Sequence, residues 1–298
     1  MEQPQIAPIP GNGHNSHEAW IDGAAGRLCR RWERPSTMPA VARMLIFHGY
    51  GDHSGRFSHF KRWLADRGVA GDSFDFRGHG RSGGKRGFVR HWDEYLDDVR
   101  LVLETCRPIW KAEGLSQMPL FVLGHSHGGL ILAAAGIRGI LQPGEISGCI
   151  MSAPYLVPAE PLTWPWRIFA AVTNVFTPAL RVKTGLTPEH MTADPAMLSD
   201  SRADMLLLRA ATPRWYKTAL RTQTDVAARA AEFRLPLLCL IGDHDRIASL
   251  EGARQFVEKS GSPDKLFHVI PGARHEILRE TMREQTFEQI FQWMRARC

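Results

Sequence analysis

The sequence predicts an α/β protein: a mostly parallel, eight-stranded sheet covered by helices on both faces, with one helical insertion. Three observations lead there. Apolar runs of strand length alternate with stretches of helical periodicity, the rhythm of a parallel sheet buried on both faces. One such unit, Pro119 to Leu141, joins its apolar runs through a short turn, Gly124-His125-Ser126-His127-Gly128. The rhythm then stops from Tyr155 to about Thr222, too far for a connecting loop, and afterwards resumes.

The bulk properties fit one large domain with an insertion. The chain has 298 residues, 44% hydrophobic and 23% charged, the balance of an ordinary soluble globular protein. A formal charge of +6 without a dense Lys/Arg run reads as a solvated surface. It argues against a nucleic-acid partner and leaves a weak preference for anionic membrane surfaces open. Cys29, Cys106, Cys149, Cys239 and Cys298 are scattered, odd in number and without CxxC spacing. That argues against a disulfide framework or a zinc site and suits a reducing, cytoplasmic compartment. The first twenty residues lack an apolar stretch behind a basic head, so no secretory leader is expected. No run is long and apolar enough to predict a membrane-spanning helix.

Taken in order, residues 1–17 are rich in Pro, Gly, Asn and Gln and predict a disordered arm. Two short alternating pieces between Trp20 and Trp32 flank Asp22-Gly23, a hairpin signal. Val41–Phe47 reads as a buried strand, Phe57–Arg67 as a helix and Val69–Phe76 as the next strand. A glycine-dense loop follows, and then an amphipathic helix from Trp92 to Trp110. After the Pro119–Leu141 unit, Glu145–Ser152 reads as a strand. Residues 155–222 offer prolines, aromatics and helical pieces and predict a helical cap over the C-terminal edge of the sheet. Beyond it come a short helix (Val226–Phe233), a strand (Leu235–Ile241) and a helix (Glu251–Lys259). Lys265–Ile270 is then the last strand and Glu276–Arg297 the closing helix. The core is thus expected to comprise residues 18–154 and 223–298.

The chemistry centres on Ser126. Gly-x-Ser-x-Gly between a buried strand and a buried helix is the pattern of a nucleophile elbow, a tight turn that projects the serine above the sheet. A serine hydroxyl is a poor nucleophile until a base takes its proton, and that base needs an orienting acid. Both must come from loops at later strand ends. The strand LPLLCLI ends in Gly242-Asp243-His244-Asp245, and KLFHVI ends in Pro271-Gly272-Ala273-Arg274-His275. His275 is therefore the candidate base and Asp245 the candidate acid, with Asp243 as rival. The oxyanion should meet the backbone N–H of His127 and that of Tyr50, in the glycine-flanked loop His48-Gly49-Tyr50-Gly51.

Other motifs carry less. A second GxSxG, Gly80 to Gly84, lacks an apolar helix behind it, so Ser82 reads as a loop residue. The overlapping Gly78-x-Gly80-x-x-Gly83 opens no helix and follows a later strand than a dinucleotide site needs, so no NAD or FAD is expected. His125 and His127 diverge across a tight turn with no third ligand nearby, so no metal is expected. The aromatics of the insertion either form its own core or line an acyl pocket. On the second reading Trp164, Phe169 and Phe176 are candidate substrate contacts.

HGYGDHSGRF (48–57), FDFRGHGRSGGKRGFV (74–89) and GHSHGG (124–129) together resemble the monoacylglycerol lipase and lysophospholipase branch of the α/β-hydrolase superfamily, the serine aminopeptidase S33-like hydrolases. The resemblance spans Trp20 to the C-terminus and is weakest across the insertion. It implies an α/β-hydrolase fold and a cofactor-free serine hydrolase of acyl esters, with Ser126, Asp245 and His275 as triad. A serine nucleophile argues against the haloalkane dehalogenase and epoxide hydrolase branches. By the same resemblance, Asp52 and Arg56 contribute to a polar pocket for a glycerol head. Three positions depart from the branch: Asp52 stands for Glu, Phe57 for Tyr, and Leu278 for a pocket histidine. Ester hydrolysis is therefore better supported than monoacylglycerol as the particular substrate. The expected partner is a small acyl ester or lipid, met in the cytoplasm or in transient contact with a membrane surface. A thioesterase, an aminopeptidase-like amidase or a non-catalytic binding protein of this fold remain the rivals.

Overall fold

Short runs dominated by Leu, Ile, Val and Phe, cut by glycine-dense turns, favour strands buried on both faces. In the computed structural model, which describes residues 7–8, 17–24 and 26–298, they form the centre of the molecule. The first half of the chain contains β1 (Ala7–Pro8), β2 (His17–Ile21), β3 (Leu28–Glu33), β4 (Ala42–Phe47), α1 (Ser58–Ala65), β5 (Val69–Phe74) and α2 (Asp93–Ala112). The nucleophile unit follows as β6 (Leu120–His125) and α3 (His127–Ile137), and then comes β7 (Gly148–Ser152). The insertion holds α4 (Trp164–Phe176), β8 (Val182–Lys183), α5 (Pro188–Met191), α6 (Pro195–Ala203), β9 (Ala210–Ala211) and α7 (Pro213–Ala228). The chain closes with β10 (Leu237–Gly242), α8 (Leu250–Lys259), β11 (Lys265–Ile270) and α9 (Arg283–Arg295).

The main sheet has the order β1-β2-β3-β5-β4-β6-β7-β10-β11. Pairings from β5 to β11 are parallel and those among β1, β2, β3 and β5 are antiparallel. The eight expected strands are there, and the two-residue β1 adds a ninth against Glu18 and His17. Alternation along each strand divides the core in two. Leu45, Phe47, Val122, Cys239 and Ile241 face α2, α3 and α8. Met44, Ile46, Phe121, Leu123, Leu238 and Leu240 face α1 and α9. The parallel pairing places the C-terminal ends of β4, β6, β10 and β11 on one edge of the sheet, with β7 between β6 and β10, and the candidate residues lie there.

Several boundaries differ from expectation. His17 belongs to β2, and most of the expected arm lies outside the described residues. A continuous α7 crosses residue 222, where the insertion was expected to end. Its start is set by Pro213 in the first turn and by Thr212, whose side chain accepts the Trp215 N–H, and Trp215, Ala219, Thr222 and Val226 form one buried stripe. The expected helix at Val226–Phe233 is the end of α7 plus a 3-10 turn at Ala230–Glu232. The insertion also contains a small antiparallel ladder, Val182 to Ala211 and Lys183 to Ala210.

Candidate active site

The elbow is a consequence of three glycines. A Cβ on Gly124 would lie 2.5 Å from Gly128 O, one on Gly128 would lie 2.3 Å from Phe47 O, and one on Gly129 would lie 2.7 Å from Pro154 Cβ. Only side-chain-free positions let β6, α3 and β4 approach this closely. Ser126 sits between them with φ 53° and ψ −116°, a left-handed conformation that a non-glycine residue adopts at a cost of about 1–3 kcal/mol. The surrounding bonds hold it there: Ser126 N–H donates to Ser152 O at 2.9 Å, and Ser126 O accepts from Gly129 at 2.9 Å and Tyr155 at 2.9 Å.

His275 and Asp245 arrive from the expected loops. Ser126 Oγ lies 2.8 Å from His275 Nε2, and His275 Nδ1 lies 2.8 Å from Asp245 Oδ2. A neutral imidazole protonated at Nδ1 donates to Asp245 and leaves Nε2 to accept the Ser126 proton. The other oxygen of Asp245 accepts the N–H groups of Ile247 (2.8 Å) and Ala248 (3.0 Å), so the carboxylate cannot swing. Burial by itself raises the Asp245 carboxyl, but the facing His275 and these donors outweigh it and hold it below the usual range. Burial likewise lowers His275, yet Asp245 first, then Glu276 and Asp52, hold it above its ordinary value. His125, packed beside His275 with ring centroids 5.1 Å apart, is pushed down to about 3 by burial and stays neutral. Asp243 points elsewhere: its Oδ1 accepts the Gly272 N–H at 2.7 Å.

The loop after β4 lies directly against the elbow. A Cβ on Gly49 would meet His125 Cδ2 at 3.2 Å and Ser126 Cβ at 3.4 Å, which brings the Gly49–Tyr50 backbone beside Ser126. His127 is the first residue of α3, where an amide has no carbonyl one turn back. The Tyr50 ring is fixed by stacking on Trp215 (3.7 Å between centroids) and by donating its hydroxyl to Gly87 O at 2.9 Å. The insertion closes over this loop: Leu208 N–H donates to Gly51 O at 2.8 Å, and Gly51 has φ 77° with no room for a Cβ beneath Leu208 O.

The five candidate substrate contacts fall into two groups. Asp52 and Arg56 form the first. Both are buried and paired with each other, and Arg56 also pairs with Glu276. Trp164, Phe169 and Phe176 form the second: they are 72%, 40% and 80% exposed on α4, which buries only Asn174. Ser82 donates to Asp75 O at 2.5 Å and accepts the Cys29 N–H at 2.9 Å, a loop-bracing role. Among the described residues no group of three or more His, Cys, Asp or Glu is placed to hold a metal, and no helix is long and apolar enough to cross a membrane. Glu276 escaped sequence reading. Its one signal was adjacency to His275.

Comparison with known proteins shows the family. Residues 38–282 match the family model described as serine aminopeptidase, S33. The monoacylglycerol lipase of Mycolicibacterium smegmatis is 30% identical over 261 residues, covering 87% of this chain and 90% of that protein. Phospholipase YtpA of Bacillus subtilis is 27% identical over 83% of this chain and 93% of that protein. The crystal structure of a soluble variant of monoglyceride lipase from Saccharomyces cerevisiae, in complex with a substrate analog, superposes with a TM-score of 0.83 at 25% identity, covering 96% of this chain and 98% of that one. These matches extend over most of the chain: it belongs to the serine aminopeptidase S33 family, in the monoacylglycerol lipase branch of the α/β-hydrolase superfamily.

Proposed function

We propose that this chain hydrolyses carboxylic esters of acyl lipids through an acyl-enzyme on Ser126. The observation that carries the reading is His275 held between Ser126 Oγ and Asp245 Oδ2, each at 2.8 Å. Ser126 Oγ attacks the acyl carbonyl carbon while His275 Nε2 takes its proton. The resulting oxyanion is held by the N–H groups of Tyr50 and His127, each such donor contributing about 3 kcal/mol to the transition state. Collapse breaks the ester bond, and the departing alcohol oxygen receives the proton from His275. Water then attacks the acyl-enzyme, again losing its proton to His275, and the free acid leaves as Ser126 is reprotonated.

The relatives named as monoacylglycerol lipases and a phospholipase support a monoacylglycerol or lysophospholipid-like substrate. The surface of the insertion supports contact with a lipid interface. Trp164, Trp166, Ile168, Val175 and Phe176 are more than half exposed, a patch of the kind that marks interaction sites. Residues 161–188 contain Arg167, Arg181 and Lys183 and no Asp or Glu, which favours an anionic surface.

The test is a hydrolysis profile over acyl esters of rising chain length, a monoacylglycerol, a lysophospholipid, an acyl-CoA and an aminoacyl-arylamide, with Ser126→Ala as control. Turnover of long-chain esters that disappears in Ser126→Ala, with retained folding, is expected. Turnover of the arylamide or the thioester alone would overturn the ester reading.

A further inference from the structure

We propose that Arg56 is a positioning residue, whose buried guanidinium locks the loop after β4, the loop carrying His275 and helix α6 of the insertion into one arrangement. The inference rests on the serine hydrolase reading above. Arg56 is 4% exposed. Its Nη2 lies 2.7 Å from both oxygens of Glu276, its Nε 2.9 Å from Asp52 Oδ1, and its Nη1 donates to Ser201 Oγ at 3.1 Å. One planar fork thus ties three segments that are far apart in sequence, which a point-like ammonium cannot do.

Glu276 is the key partner because it follows His275 in the chain. Its backbone N–H donates to Met191 O of the insertion at 2.7 Å, and Arg279 Nε lies 3.3 Å from the same carboxylate. Arg279 in turn pairs with Asp200 on α6, and His53 Nε2 lies 2.8 Å from Asp204 Oδ2 just beyond it. The His275 backbone is therefore clamped on one side by Glu276, while its ring is clamped by Asp245. Arg56 Nη1 and Nη2 donate to Ser201 and Glu276 while its Nε is ion-paired with Asp52, so the buried guanidinium has an internal role.

The cluster also sets the field at His275. The groups that act on that ring are Asp245 from the loop after β10, in hydrogen-bond contact, the charges of Glu276 from its own loop and Asp52 from the loop after β4, and neutral His125 from the elbow, packed against it. The three carboxylates favour the protonated ring, and Arg56 neutralises the two that do not hydrogen-bond it. Removing the cation while both carboxylates stay ionised therefore favours imidazolium, and the base is unloaded only at higher pH. Removing the Glu276 charge acts in the opposite sense.

The experiment measures kcat and KM against pH for a short water-soluble ester and for a monoacylglycerol, in the wild type, Arg56→Met, Arg56→Lys and Glu276→Gln. Folding is checked by circular dichroism and thermal melts. In Arg56→Met, kcat should fall by about 10- to 100-fold with little change in KM for the short ester, the scale expected when a catalytic group is slightly misplaced. The acid limb of kcat/KM should move to higher pH in Arg56→Met, move back toward wild type in Arg56→Lys, and move to lower pH in Glu276→Gln. The Glu276→Gln limb keeps the test decisive if Arg56→Met fails to fold. Unmoved limbs and wild-type kcat in folded variants overturn the proposal. A rise confined to KM for monoacylglycerol also overturns it, in favour of head-group binding. A wild type that is inactive on every ester would sink the hydrolase reading and this inference together, whereas unaltered variants of an active wild type sink only this one.

Discussion

Asp243 and Asp245 are two positions apart at the end of one strand, and the distinction between them is a matter of direction. Asp245 has one oxygen on His275 and the other on two backbone amides; Asp243 is on the Gly272 amide. Asp245→Asn should therefore lower kcat by about 10⁴-fold, the cost of stabilising the wrong imidazole tautomer, while Asp243→Asn stays near wild type. Steady-state kinetics on the two purified variants would show it, and equal losses would mean that the loop pairs differently. The same carboxylate governs pH dependence. A base whose pKa is raised is protonated, hence idle, over a wider acidic range, so kcat/KM should begin to fall at a pH above about 6.5, the ordinary histidine value. Acidification through that limb should silence the enzyme reversibly, and a limb well below the ordinary value would contradict the geometry.

The nucleophile element depends on what is missing from it. A Cβ on Gly128 would run into Phe47 O and His48 O, backbone atoms of β4 and of the loop that brings Tyr50 to the site. Gly128→Ala would insert a methyl group into fixed backbone at one of the tightest contacts of the site. We expect a loss of at least roughly 1–3 kcal/mol of stability, as in overpacked cores, and a fall in kcat as the oxyanion loop is pushed from Ser126. Chemical denaturation and kinetics on the same preparation test both, and a neutral substitution would mean that β4 can retreat. The helices of the insertion behave differently. Apolar spacing alone marked α4 as a helix but could not say which way it faces. In the structure its aromatics stand exposed and the polar Asn174 is the residue it buries.

Across the whole molecule the insertion has two characters. Its α5–α6 side is stitched to the core by polar contacts: Thr192 Oγ1 donates to Arg279 O at 2.9 Å, Arg283 pairs with Asp194 at 2.6 Å, and Arg56 reaches Ser201. Its α4 side is held through Arg214, which donates to Asn174 Oδ1 at 2.7 Å, and turns its aromatics outward. The proposed contact with a lipid surface therefore falls to α4. Trp164→Ser with Phe176→Ser should weaken co-sedimentation with vesicles of phosphatidylcholine and phosphatidylglycerol by about 10-fold or more, since burying one aromatic side chain contributes about 1.5–3 kcal/mol. Hydrolysis of a short soluble ester should be unchanged. Vesicle binding equal to wild type would remove α4 from the interface.

The strand–helix rhythm, the elbow and the order of Ser126, Asp245 and His275 could be read from residues in a row, because strand period, turn chemistry and loop position are local properties of the chain. The hydrogen bonds that join those three residues, the exposure of Trp164 and Phe176 and the continuity of α7 through residue 222 could not. Nor could the burial of Arg56 against Glu276, which stand 220 positions apart and meet only because β4 and β11 end on the same rim of the sheet. Local periodicity identifies an element and its apolar positions. Which partner a side chain finds depends on how the elements pack, and that is settled by contacts between residues the sequence keeps far apart.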